Sequence, residues 1–163
     1  MPTITNMQEF KAALESLSDE QQRVLGARFI SEVLDLSDDV RLREILAVAK
    51  QAQASVEDLL DAYSRARSIA VDLSFHGELE LINFKKQAAQ YVAKACVACL
   101  VPMPATVKQR FRAWNVAHYC REARMCADLA HEQDTEILAK VEKNLKKTIA
   151  RQYALTSEFL AKT

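Results

Sequence analysis

Apolar positions recur at three- and four-residue steps along nearly the whole chain, the spacing that gathers side chains on one face of a helix. The pattern is clearest between Leu79 and His131, where Pro102-Met103-Pro104 separates two long helical stretches. In the first, Ala89, Ala93, Cys96 and Leu100 share a face; in the second, Ala113, Ala117, Cys120, Ala123, Ala127 and Ala130 do. Small side chains on facing stripes let two backbones approach closely. The segment is therefore expected to form a tight antiparallel hairpin on which the rest of the chain leans.

Three shorter, acidic helices are expected ahead of it. Thr5-Asn6-Met7-Gln8 and Ser18-Asp19-Glu20-Gln21 both have the spacing of a capping box. They predict helices over about 5–16 and 18–36, the second turning Leu25, Phe29, Val33 and Leu36 inward. Ser37, Asp38 and Asp39 predict a third start, followed by Leu42, Ile45, Leu46, Ala49 and Ala52 on one face. Ser55 opens a longer helix to about Phe75, with Leu59, Tyr63, Ala66, Ile69 or Ala70, and Leu73 inward and Gly77 as its C-terminal cap. Further helices are expected from Glu78 to about Val101, from Pro104 to about His131, and from Asp134-Thr135-Glu136 to about Leu160. The last carries Leu138, Val141, Leu145, Ile149, Gln152, Leu155 and Phe159, close to a heptad seam.

These elements predict an all-α fold, a compact helical bundle of six or seven helices in which four long antiparallel helices follow three shorter ones. Residues 1–163 read as one domain, an acidic short-helix section over 1–54 packing on an up-down-up-down bundle over 55–163.

Composition narrows the function classes. Only two glycines and three prolines occur, which leaves no glycine-rich phosphate loop and no nucleophile elbow. The N-terminus lacks the basic and apolar segments of a secretion signal. The most apolar run, Ala88–Val101, is interrupted by Gln90 and Lys94 and is too short to span a bilayer. All four cysteines sit in Ala-rich helical sequence, as reduced, buried thiols do. The expectation is a soluble cytoplasmic protein with no membrane partner and no cofactor.

Net charge is zero but polarised. Residues 1–60 hold 6 basic against 11 acidic side chains, whereas 105–127 hold Lys108, Arg110, Arg112, Arg121 and Arg124 against Glu122 alone. The two sections can attract each other within one molecule, the plainer reading, or between two copies.

Three candidate chemistries arise. Cys96-Val97-Ala98-Cys99 has the spacing of a redox pair, with His118 as a candidate partner, but it lies toward a helix C-terminus, where the dipole disfavours a thiolate. A helical CxxC is also used by the alkylhydroperoxidase D class, with a histidine four residues after the second cysteine and an upstream glutamate; Met103, Phe84 and Leu81 stand at the corresponding places here. Buried small residues on an Ala stripe are the simpler account. A metal could draw on Cys96, Cys99, Cys120, Cys126, His118 and His131, and Asp128-Leu129-Ala130-His131 has one carboxylate-x-x-His step of a bundle metal site. The step has no second copy, since Asn115 precedes His118 at the matching position. Finally, Lys108 to Trp114 interleaves cations with aromatics, as nucleic-acid surfaces do, though Phe111, Trp114 and His118 also share the face of an ordinary amphipathic helix.

The leading expectation is a non-enzymatic helical module that binds another protein or its own copy. Its candidate surface is Arg110, Arg112, Trp114, Arg121 and Arg124. A thiol or metal site at Cys96, Cys99 and His118 and a nucleic-acid surface on helix 104–127 are the alternatives.

Overall fold

Local capping chemistry sets most of the helix starts. In the computed structural model, which describes residues 3–74, 83–102, 111–130 and 136–163, Ser18 and Gln21 form the expected reciprocal capping box at the head of α2 (Asp19–Ser31). Ser55 accepts the Asp58 amide at the head of α4 (Val56–Asp72). At α1 (Met7–Ser16) the cap lies one residue later than expected. Asn6 accepts the Glu9 amide, and Glu9 reaches back to the Thr5 amide and hydroxyl. Glu9 thereby accepts two bonds from Thr5 while Asn6 takes up one of the orphan amides of the first turn.

Helix α2 stops at Ser31, short of the expected Leu36. A 3-10 turn over Leu34–Leu36 follows, then α3 (Arg41–Ala49), with the Asp39 carboxylate accepting the Arg41 amide. The three remaining helices are α5 (Phe84–Leu100), capped by Asn83, α6 (Arg112–Leu129) and α7 (Ile137–Leu160). Gly77, the Glu78 start, most of the Pro102–Pro104 hinge and the Asp134 start lie outside the described residues. The described chain is all-α: seven helices and no strand, packed into a bundle.

Helices α5 and α6 make the most extensive pairing in the molecule. Arg112 at the start of α6 donates to the Cys99 carbonyl near the end of α5, and Cys126 near the end of α6 lies 3.8 Å from Gln87 near the start of α5, so the two run antiparallel. Ala93 and Cys96 on one side, and Ala113, Ala117, Cys120 and Ala123 on the other, are fully buried. Ala89 is half-buried and Ala130 exposed, because the stripe rotates away from the partner over several turns.

The four long helices do not close on themselves. They lie in chain order, α4 beside α5, α5 beside α6 and α6 beside α7, while α3 packs on α4 and α2 packs on α3, α5, α6 and α7. Gln22, Arg23, Leu25, Gly26, Ala27, Phe29 and Ile30 are all buried, so α2 is covered on nearly every side. At the crossing a Cβ on Gly26 would sit 3.3 Å from Val116 Cγ2 and 3.4 Å from Cys99 Sγ, tighter than ordinary side-chain contact. The N-terminal section thus completes the core. One apolar cluster runs from Ile4 through Phe10, Phe29, Ile45, Ile69, Val92 and Val116 to Phe159.

The seam of α7 divides. Val141, Gln152, Leu155 and Phe159 are buried, but Leu138 is 77% exposed. Its second half packs within the chain, so the seam does not stand open along its length. No helix among the described residues is long and apolar enough to cross a membrane.

Candidate functional site

The basic helix does not present its arginines as one surface. Arg112 is only 3% exposed. Its Nε and Nη2 grip the Asp19 carboxylate at 2.8 and 3.0 Å, and Nη1 and Nη2 donate to the Cys99 and Val101 carbonyls at 2.7 and 3.0 Å. One guanidinium thereby ties the head of α6 to the tail of α5 and the head of α2, supplying the last α5 carbonyls with donors. Arg23 does the same for α3, donating to the carbonyls of Ala49, Gln51 and Ala52. Arg121 is also buried, donating to Gln152 Oε1 at 2.7 Å and lying 5.6 and 5.9 Å from the ring centroids of Phe10 and Trp114. Trp114 itself is half-buried against Phe10 and packs on the core. Arg124 donates to the Glu32 carbonyl at 2.9 Å and lies 3.9 Å from Asp35. Arg110 lies outside the described residues. The acidic N-terminal section and the basic helix meet inside one molecule.

The thiol candidates also separate. Cys96 and Cys99 are fully buried, and desolvation pushes both thiols up, Cys99 to about 12. Cys99 donates to the Arg23 carbonyl at 3.2 Å. Cys120 lies close enough for Cys96 and Cys99 to act on it electrostatically, and burial raises it too. His118 points away: its side chain is 63% exposed and sits 3.7 Å from Glu122, one turn on. Cys96, Cys99 and His118 therefore form no common centre. Among the described residues no three His, Cys, Asp or Glu side chains are grouped to hold a metal; His131 lies outside those residues.

Where α6, α7 and the end of α2 meet, the surface opens instead into a groove of about 290 Å³. Phe29, Val33 and Cys120 form its apolar floor, and Glu32, Arg124, Asp128, Asn144, Lys147 and Arg151 supply polar walls. Most of the wall is tied down. Arg151 lies 3.3 Å from Glu32, and the Thr148 hydroxyl donates to the Asn144 carbonyl at 3.0 Å. Gln152 is held at both ends, accepting from Arg121 and donating to the Ala117 carbonyl at 3.0 Å.

Asp128 is the exception. Its Oδ1 accepts from Asn144 Nδ2 at 3.0 Å, but Oδ2, shielded from solvent, meets no donor. The residue is 8% exposed and sits in the last turn of α6, where the partial negative charge of the helix end opposes a carboxylate. The carboxylate is thus left with one oxygen that has no partner among the described residues. Sequence reasoning met Asp128 only as half of a metal step and missed Asn144, Lys147 and Arg151 as wall residues. The available signal was an acid in the last turn of a helix, against the dipole.

Comparison with family models, with curated proteins and with solved structures gives no match to this chain.

Proposed function

We propose that this chain is a non-enzymatic helical module of the cytoplasm that associates with a second copy of itself. The observation that carries the reading is the outer face of α4. Ala62, Ala66 and Ile69 point into the core, yet Val56, Leu60 and Val71 are 74%, 45% and 57% exposed on the opposite side. With Ser64 and Arg67 they make a stripe at helical spacing. A helix apolar on two faces is suited to two partners, and only one of them lies among the described residues.

Charge favours a second copy as the other partner. The first half of α4 carries Glu57, Asp58 and Asp61; the second carries Arg65, Arg67 and Asp72, with Arg65 paired inside the chain to Glu44 and Asp61, so Arg67 is the cation on the outer stripe. Two such helices crossing antiparallel about a two-fold axis near Ser64 set the acidic first half of each against the other copy's Arg67, an isologous contact. The four free, buried cysteines fit a reducing compartment.

Sedimentation equilibrium over a concentration series tests the reading. Wild type is expected to dimerise, and Leu60→Asp with Val71→Asp to remain monomeric with unchanged circular dichroism. A wild type that stays monomeric at its solubility limit, or a dimer that survives both substitutions, would overturn it.

A further inference from the structure

We propose that the groove between α2, α6 and α7 binds the zwitterion of a small apolar amino acid, its ammonium group on the Asp128 carboxylate and its carboxylate on Lys147 Nζ. The argument begins with what Asp128 does not explain. Its bond from Asn144 uses one oxygen, and an amide carbonyl at the same place would accept that bond equally well. The negative charge, buried at the adverse end of α6, has no use within the described chain. Asp128 lines the groove, and its Oδ1, which spends one lone pair on Asn144, has a second to offer a ligand.

The other walls say what sort of donor belongs there. Arg124, Lys147 and Arg151 line the same groove, so a simple cation would be repelled. A simple anion would meet Asp128 and Glu32. Arg124 and Arg151 are already engaged by Glu32 and Asp35, whereas Lys147 has no ion-pair partner among the described residues. The groove thus offers one carboxylate with acceptor capacity to spare and one cation without a described ion pair, which suits a ligand bearing both charges. A metal ion would need several ligands, and the described residues group no three. An ammonium group needs only the one carboxylate, with the Asn144 amide oxygen and Thr148 hydroxyl beside it as further acceptors. At about 290 Å³ the groove is at the small end for a ligand site, sized for a single amino acid rather than a peptide. Phe29 and Val33 on the floor favour an apolar side chain.

Isothermal titration and thermal shift with leucine, isoleucine, valine, methionine and phenylalanine test this directly, with N-acetyl-leucine and leucinamide as blocked forms. At least one free amino acid is expected to bind saturably and raise Tm, and both blocked forms to fail. Asp128→Asn keeps the shape and the Asn144 contact and is expected to weaken binding about tenfold or more, as is Lys147→Ala at the surface. In Lys147→Ala the preference for leucine over leucinamide should shrink. If Asp128→Asn fails to fold, Lys147→Ala and the blocked forms still decide. Absence of binding by all five amino acids, binding undiminished in both variants, or equal binding of N-acetyl-leucine would overturn the proposal. Its fate is independent of dimerisation, which the α4 variants read separately.

Discussion

Helix α6 has two sides built on opposite principles. Toward α5 and α2 it shows Ala113, Val116 and Ala123, all buried and without a polar side-chain atom to satisfy. Toward α1 and α7 it shows Arg121 and Asp128, buried as well, but each with one polar atom left without a partner, Arg121 Nη2 and Asp128 Oδ2. The first side gains from close approach and dispersion. The second retains charge where apolar residues would be easier to bury, so stability alone does not account for it. The same helix separates a structural seam from the side on which a groove has formed.

The largest effect should come from unfastening the seam at its end. Arg112→Ala strands the Cys99 carbonyl and releases Asp19, and is expected to destabilise by about 2–4 kcal/mol in urea unfolding. The remainder is not larger because Asp19, half-exposed, can be hydrated once released. Next comes the seam's tightness. Ala93→Leu or Ala117→Leu adds volume where no exposed surface remains, and each should cost about 1–3 kcal/mol. Neutral behaviour at both would mean the two helices are loosely packed, and the contrast between the sides of α6 would fail.

What was legible in the sequence followed from how local each cause is. The Ser18 and Ser55 caps and the Ala and Cys stripes of α5 and α6 are set by residues three or four apart, so spacing reveals them. The central position of α2 was not legible. Its buried Gln22 and Arg23 look solvated in sequence and are buried only because Gln22 accepts the Ala113 amide and Arg23 caps α3. Arg112 misleads for the same reason, since Asp19 is 93 residues away. The groove needs three helices together. Asp128, an acid against its own helix dipole, was the one local signal, and it was met only as half of a metal step.

Alkali should act on the seam through its buried thiols. Burial raises the Cys96, Cys99 and Cys120 thiols above the ordinary value near 9.0, so the folded state keeps protons that the unfolded chain releases. Their stabilising contribution is whole below pH 9 and is lost as pH rises toward 12. Each thiol should add a slope of about 1.4 kcal/mol per pH unit in that window. Comparing Cys99→Ala with wild type isolates one thiol from the lysines that also titrate there. An unchanged slope would show that Cys99 is hydrated.

The smallest effect is expected on the polar side and sharpens the contrast most. Arg121→Met alone leaves Gln152 Oε1 buried without its donor and should cost about 1–2 kcal/mol. Adding Gln152→Leu removes the stranded acceptor. The Ala117 carbonyl then loses only a second bond, since it lies within a helix whose ladder already supplies one. The paired replacement also removes the unpartnered Nη2 and sets the apolar Met side chain beside Phe10 and Trp114. Equilibrium unfolding of the double variant should fall within about 1 kcal/mol of wild type, well above the sum of the single effects. A double variant as unstable as that sum would mean that Arg121 holds α1 and α7 to α6 through its ring contacts, and that both sides of the helix are structural.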